Sequence, residues 1–185
     1  MKIIRNSDIK VSNWSGGTTS ELYIYPENSN YKDLNFKFRL SKATIEVEHS
    51  VFTPLPNVKR KLMLLDGELE LIHENQHTIN LKPLEFDTFS GNWNTTSNGK
   101  ATDFNLMMLG NTEGNYKVFS NTEKTILKHK SKVDISVFYV VKGKISLSQT
   151  EDICEGELII IENKNNNFEL TFSKQSNIVG IEINL

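Results

Sequence analysis

The sequence predicts an all-β fold, a sandwich or barrel, on three observations. Short apolar or alternating runs recur along the 185 residues, and no long segment keeps a 3.6-residue period. Turn signals separate the runs at Asp66-Gly67, Asn98-Gly99, Lys142-Gly143 and Glu155-Gly156. One unit of strand, tight Gly turn and strand occurs twice.

The runs follow in order. Leu22 to Tyr25 opens the series, with Thr19, Glu21 and Tyr23 alternating against Ser20, Leu22 and Ile24. Ser29 to Leu34 reads as a short helix. Phe36 to Val47 carries two faces, Arg39/Ser41/Ala43/Ile45/Val47 and Leu40/Lys42/Thr44/Glu46. The first face becomes wholly apolar, so it points inward and carries Arg39 and Ser41 with it. Arg60 to Leu65 sets Arg60 on the face of Val58, Leu62 and Leu64. Glu68 to His73 follows, and then Phe104 to Leu109, where Asp103 and Asn105 share a face with Met107 and Leu109. Val133 to Val141, Ile145 to Ser148, Leu158 to Ile161, Phe168 to Phe172 and Ile178 to Ile183 complete the strands. Asn163 to Asn167 reads as a loop.

The repeat sharpens the architecture. Leu64-Leu65-Asp66-Gly67-Glu68-Leu69-Glu70-Leu71 precedes Leu84 to Phe89, and Val140-Val141-Lys142-Gly143-Lys144-Ile145-Ser146-Leu147 precedes Glu157 to Ile161. Gly67 and Gly143 fit turns that need positive φ. The pattern resembles the jelly-roll core of cupins, and two copies resemble a bicupin. The expected units are residues 1–112, bearing the polar strand faces, and residues 113–185, tightly fused to the first.

Composition narrows the function classes. A chain of this length buries a sizeable core. With 24% charged residues and a formal net charge of -2, it lacks the basic excess of a nucleic-acid or acidic-membrane binder. The N-terminal Met1 to Asn6 has a charge and an Asn where a signal peptide has its apolar run, and no stretch reaches the ~20 apolar residues of a membrane span. The single cysteine, Cys154, forms no internal disulfide, which fits a cytoplasmic protein. Between Ile153 and Glu155 and far from any His, it reads as an inert turn residue. The sequence leaves homo-oligomerisation open.

Metal and nucleophilic chemistry find little support. Cupins commonly ligate metal through His-x-His, a Glu and a later His, whereas His49, His73, His77 and His129 form no His-x-His. His73 and His77 flank the polar turn Glu74-Asn75-Gln76 and read as exposed loop residues, His129 lies in a basic patch, and His49 sits near a barrel mouth. The expectation is no metal and no cofactor. No Gly-x-Ser-x-Gly elbow is present, and Ser15-Gly16-Gly17 lacks the Lys of a phosphate loop.

Several segments match one family. Asn13-Trp14-Ser15-Gly16-Gly17-Thr18-Thr19-Ser20-Glu21-Leu22 resembles the N-terminal signature of the HutD/Ves family. Phe38 to Ala43 resembles its "w-R-l-S-x-A" strand, and Ser50 to Arg60 its "g-p-F-S-x-f-p-g-x-x-R" segment. Leu65-Asp66-Gly67 and Thr102 to Met107 resemble its "L-x-G" and "x-D-F-N-v-M" elements. The matches run from residue 13 to about residue 109. Ser15 and Asn57 depart from the family's usual residues, and after Asn111 only the general look persists. The resemblance implies a bicupin without the metal-ligand set. It also implies a regulatory metabolite-binding role, linked to histidine utilisation in some members and to stress response in others.

An arginine or aspartate on an inward face costs several kcal/mol unless it is paired, hydrogen-bonded or wet. Trp14, Thr19, Glu21, Arg39, Arg60, Asp103 and Asn105 therefore form either a ligand pocket or a self-neutralising network. As a pocket, they suit a small carboxylate held by guanidinium forks, covered by Trp14, with Asn105→Leu as a probe that unpairs no charge. Non-enzymatic binding is the favoured reading. A metal-independent isomerase, lyase or hydrolase with Glu21 or Asp103 as base is the alternative.

Overall fold

The computed structural model describes residues 1–148, 151–162 and 167–185. The expected Asn163 to Asn167 loop falls outside the described residues except for Asn167, as does the side chain of His129. The strands are β1 (Lys2–Ile4), β2 (Lys10–Trp14), β3 (Gly17–Tyr25), β4 (Phe38–Ile45), β5 (His49–Val51), β6 (Lys59–Gly67), β7 (Leu69–His73), β8 (Thr78–Leu81), β9 (Phe86–Ser90), β10 (Thr95–Asn98) and β11 (Ala101–Met108). They continue as β12 (Glu113–Asn121), β13 (Thr125–Lys130), β14 (Ile135–Lys142), β15 (Lys144–Ser148), β16 (Glu151–Cys154), β17 (Leu158–Glu162), β18 (Asn167–Phe172) and β19 (Ser176–Asn184). Among the described residues no helix is long and apolar enough to cross a membrane.

The chain divides into two units, Lys10–Thr112 and Glu113–Leu185 together with Met1–Ile9. The first nine residues thus leave the unit that the sequence reading gave them. The reason is backbone pairing: β1 adds to β17 from Lys2↔Ile160 to Ile4↔Leu158. Arg5 then anchors the segment, donating to Glu157 at 2.9 Å and to the Asp152 carbonyl at 2.7 Å.

Each unit packs two antiparallel sheets face to face. In the N-terminal unit, a six-stranded sheet (β2-β3-β4-β11-β6-β9) faces a four-stranded one (β5-β10-β7-β8). Leu62, Leu64, Leu69, Leu71, Leu81 and Phe89 fill the space between them. In the C-terminal unit, β1-β17-β14-β19-β12 faces β13-β18-β15-β16, with Phe138, Val140, Ile145, Ile159, Leu170 and Phe172 inside.

The sequence repeat is visible in this topology. β6 pairs β9 and β7 pairs β8, just as β14 pairs β17 and β15 pairs β16. The Gly of each repeat is not a hairpin turn, however. Gly67 and Gly143 stand at corners where the chain leaves one sheet for the other. Both hold positive φ, +88° and +83°. A Cβ on Gly67 would lie 2.5 Å from the Lys100 carbonyl oxygen, so backbone approach as well as φ requires glycine there.

The helix expected over Ser29 to Leu34 is absent. The segment is a series of turns, in which Asn30 and Asn35 side chains bond the backbone N–H groups of Asp33 and Asn30. Leu34 takes φ +49°, which no right-handed helix allows.

Gly67→Ala should lower the stability of the chain by about 1–3 kcal/mol, because it meets both a positive φ and a carbonyl contact. Urea unfolding measures this, and the fold account expects Gly110→Ala to cost less, since nothing lies within 4 Å of a Cβ at that position.

Candidate functional site

Strand β11 is the spine of the site. It pairs with β4 on one side and β6 on the other, so Met107 lies between Arg39 and Arg60 in one cross-strand row. Asn105 lies between Ser41 and Leu62 in the next row, and Asp103 between Ala43 and Leu64 in the third. Side chains two residues apart share a face. Three adjacent strands therefore direct Arg39, Ser41, Arg60, Asp103 and Asn105 to the same side of one sheet, and all five are buried.

Two linked sets of polar contacts satisfy most of these groups. Arg39 Nε donates to Glu21 Oε2 at 2.7 Å and Arg39 Nη1 to Ser41 Oγ at 3.0 Å, while its guanidinium lies 4.5 Å from the Tyr31 ring centroid. Arg60 Nη2 donates to Asn105 Oδ1 at 3.1 Å, and Asn105 Nδ2 in turn donates to Asp103 Oδ1. The Arg60 guanidinium also stands 5.0 Å from the rings of Phe52 and Phe89. Arg60 Nε is buried and has no hydrogen-bond partner among the described residues.

Burial dominates the titration of both charged groups in the second set. It lowers Arg60 to about 10 against the opposing pull of Asp103. It raises Asp103 to about 7 against Arg60 and the Asn105 hydrogen bond. Near neutral pH Asp103 is therefore only partly ionised, and Arg60 keeps its charge without a full counter-ion.

These groups surround a cavity of about 310 Å3 bordered by Trp14, Thr19, Arg39, Arg60, Asp103 and Asn105. Ser12, Tyr31, Ser50 and Phe52 complete parts of its wall. Of the seven residues singled out in the sequence, only Glu21 does not line it. Glu21 faces a more open groove with Lys10, Tyr31 and Asp33, and holds Arg39 from that side. The β3–β4 ladder keeps Glu21 opposite Ser41, and the bulge that follows, between Glu21 and Tyr23, breaks the alternation beyond it, setting Tyr23 opposite Leu40 and burying Leu22 and Tyr23 in succession. Tyr31 was not foreseen, since it arrives on a turn segment with no strand period. Phe52 lay inside a family-like segment, and its aromatic ring was a readable signal.

The structure also alters the choice of probes. Asn105 bridges Arg60 and Asp103, so Asn105→Leu would leave both without that partner and is not a neutral probe. Trp14, 38% exposed at the rim, is the gentler position. Among the described residues no histidine lines the cavity, and two guanidiniums border it, so its donor set does not suit a divalent cation. His49 is absent from the lining and meets Asn98 Oδ1 at 2.9 Å.

His73 departs most from expectation. It is buried, not an exposed loop residue. It gathers with His77 and Asp87, ligand atoms within 4.8 Å of one another. Burial lowers the pKa of His73, opposed by its hydrogen bond to Asp87.

The HutD family model matches residues 6–179. The chain belongs to the HutD family. Its match reaches well past residue 109, into the half where local motifs fade. A conserved protein of unknown function from Pseudomonas aeruginosa PAO1 is similar to it at TM-score 0.84 and 17% identity, over 100% of this chain and 98% of that one. HutD from Pseudomonas fluorescens SBW25 is similar at TM-score 0.80 and 17% identity, over 99% and 97% of the two chains. Vicilin from Corylus avellana is similar at TM-score 0.66 and 8% identity, over 98% and 85%. No curated protein matches the chain. With the paired sheets of each unit, these likenesses give a cupin-type fold, two barrels in one HutD-family chain.

The Asp103 shift has a signed consequence. An unfolded aspartate titrates near ~3.9, so between about pH 4 and about pH 7 the folded chain keeps a proton that the unfolded chain has lost. The resulting stability is complete below pH 4 and is lost as pH rises through 7. Asp103→Asn should remove that slope, which is at most about 1.4 kcal/mol per pH unit in this window. Urea unfolding of both proteins at pH 4.5, 6 and 7.5 reads the difference, and parallel pH profiles would contradict the assignment.

Proposed function

We propose that this HutD-family chain binds a small carboxylate-bearing metabolite in the N-terminal cavity and acts by binding, in a regulatory role. The observation that carries this reading is the buried Arg60, a cation on the cavity wall whose Nε lacks a partner among the described residues. A carboxylate oxygen is the acceptor that such a guanidinium takes best. The cavity volume, about 310 Å3, is at the lower end for ligand sites and suits a metabolite of few heavy atoms. Trp14, Tyr31 and Phe52 supply flat apolar walls. The HutD structure from Pseudomonas fluorescens SBW25 is of a formate condition, and formate is the smallest carboxylate. From the family resemblance we infer a place in histidine utilisation or stress response, and from the lone cysteine a cytoplasmic setting.

A second reading has one observation in its favour. Asp103, with its pKa raised to about 7, is matched to general acid–base work at neutral pH. In that reading the chain is a metal-independent isomerase, lyase or hydrolase of a small organic acid.

The test is calorimetric titration and thermal shift with formate and a panel of amino-acid catabolites, each paired with its uncharged amide. A carboxylate at a hundred times its Kd should stabilise the chain by about 2.7 kcal/mol, and the amide should not. Arg60→Met should abolish binding and Trp14→Ala should weaken it while leaving the fold intact. Equal binding by Arg60→Met, or no stabilisation by any carboxylate, overturns the proposal. Chemical change of a bound acid, lost in Asp103→Asn, moves the assignment to the enzyme.

A further inference from the structure

We propose that His73, His77 and Asp87 form a binding site for a divalent transition metal of the zinc type, separate from the carboxylate cavity. The site starts from a three-residue turn. Asn75 takes φ +58°, and the His73 N–H donates to the His77 carbonyl at 2.9 Å. Ile72 pairs Thr78 across the same hairpin, so His73 and His77 are the next cross-strand pair and share a face. Their rings lie 4.7 Å apart.

Asp87 comes from β9, which belongs to the other sheet. Its Oδ2 lies 2.9 Å from His73 Nε2 and 2.8 Å from His77 Nε2. Ligand atoms at about 2.0–2.2 Å from a tetrahedral zinc stand about 3.3 Å from each other, so a small outward shift admits the ion. Two imidazole nitrogens and one carboxylate oxygen leave a fourth position for water or another ligand.

The groups behind the ligands are arranged to hold them. Thr95 Oγ1 donates to the Trp93 carbonyl at 3.4 Å, which leaves it to accept from His73 Nδ1–H at 2.8 Å. In that tautomer His73 Nε2 keeps a lone pair for a metal beside the Asp87 oxygen, whereas in the other its N–H donates to Asp87. Asp87 Oδ1 is tied separately by the Thr88 N–H at 2.8 Å, which keeps Oδ2 for the histidines. Phe89 and Trp93 pack on the His73 ring at 4.5 and 5.4 Å and fix its plane. An ion here would staple the β7–β8 hairpin to β9 and so join the two sheets of the unit. The competing arrangement is metal-free, with both Nε2 atoms protonated and Asp87 shared between them.

The experiment uses the full chain, stripped with a chelator and titrated with Zn2+ alone, then with Co2+ as a spectroscopic probe. We expect one Zn2+ bound per chain by elemental analysis, a rise in Tm, and visible Co2+ absorption of a low-coordinate site. His77 is exposed, so His77→Ala should stay folded and weaken Zn2+ binding by at least about tenfold. Asp87→Asn should do the same, and His49→Ala should leave binding unchanged. Absence of bound Zn2+ in the unsubstituted chain overturns the proposal. So does an unchanged stoichiometry in both His77→Ala and Asp87→Asn. Because Trp93 lies beside this cluster and Trp14 beside the cavity, quenching of each alone separates this result from carboxylate binding.

Discussion

The placement of β11 between β4 and β6 governs the N-terminal unit. That register brings two arginines, an aspartate, an asparagine and a serine to one face of one sheet, where apolar residues would pack more cheaply. In the same rows β6 contributes Leu62 and Leu64, and beyond them β4 contributes Ile45, which pack into the core between the sheets. One face of these strands thus supplies both part of the sandwich core and the polar chamber. Sliding β11 by one residue would send Asp103 and Asn105 to the opposite face and destroy both.

The two guanidiniums of the chamber are unequally balanced. Buried ion pairs contribute little net stability, because desolvation offsets their attraction. Arg39 is neutralised by Glu21, which reaches it from an adjoining groove. Arg60 has a weaker counterweight, since Asp103 is burdened by its own desolvation and acts through the Asn105 amide. The result is a site with surplus positive character and an apolar rim.

Much of this was legible in the sequence because alternation is a backbone property. Arg39 and Ser41 were assigned inward from Ala43, Ile45 and Val47, and Asp103 and Asn105 from Met107 and Leu109. What the period does not carry is where it breaks. The bulge after Glu21 has no marker residue, and it took Tyr23 off the face of Thr19 and Glu21. Polar strands were also invisible: β2 is exposed along its whole length, so it offers no apolar alternation. His73 and His77, four residues apart around a polar turn, were read as exposed loop residues because a hairpin tip was not expected to present both on one face. Across a three-residue turn the same spacing is a cross-strand pair, and Asp87 reaches them only through the packing of the second sheet. The Gly67 turn was located correctly but its geometry was a corner between sheets, which a local pattern does not distinguish from a hairpin.

The central claim is that an anion bound in the chamber shares it with Asp103. A carboxylate that settles beside Arg60 adds negative charge near a group already titrating at about 7, and must raise that pKa further. Titration calorimetry with formate at pH 7.5, repeated in buffers of different ionisation enthalpy, measures the protons exchanged on binding. The account predicts a fractional proton taken up per carboxylate bound, and none in Asp103→Asn. Binding without proton uptake, or with proton release, would contradict it.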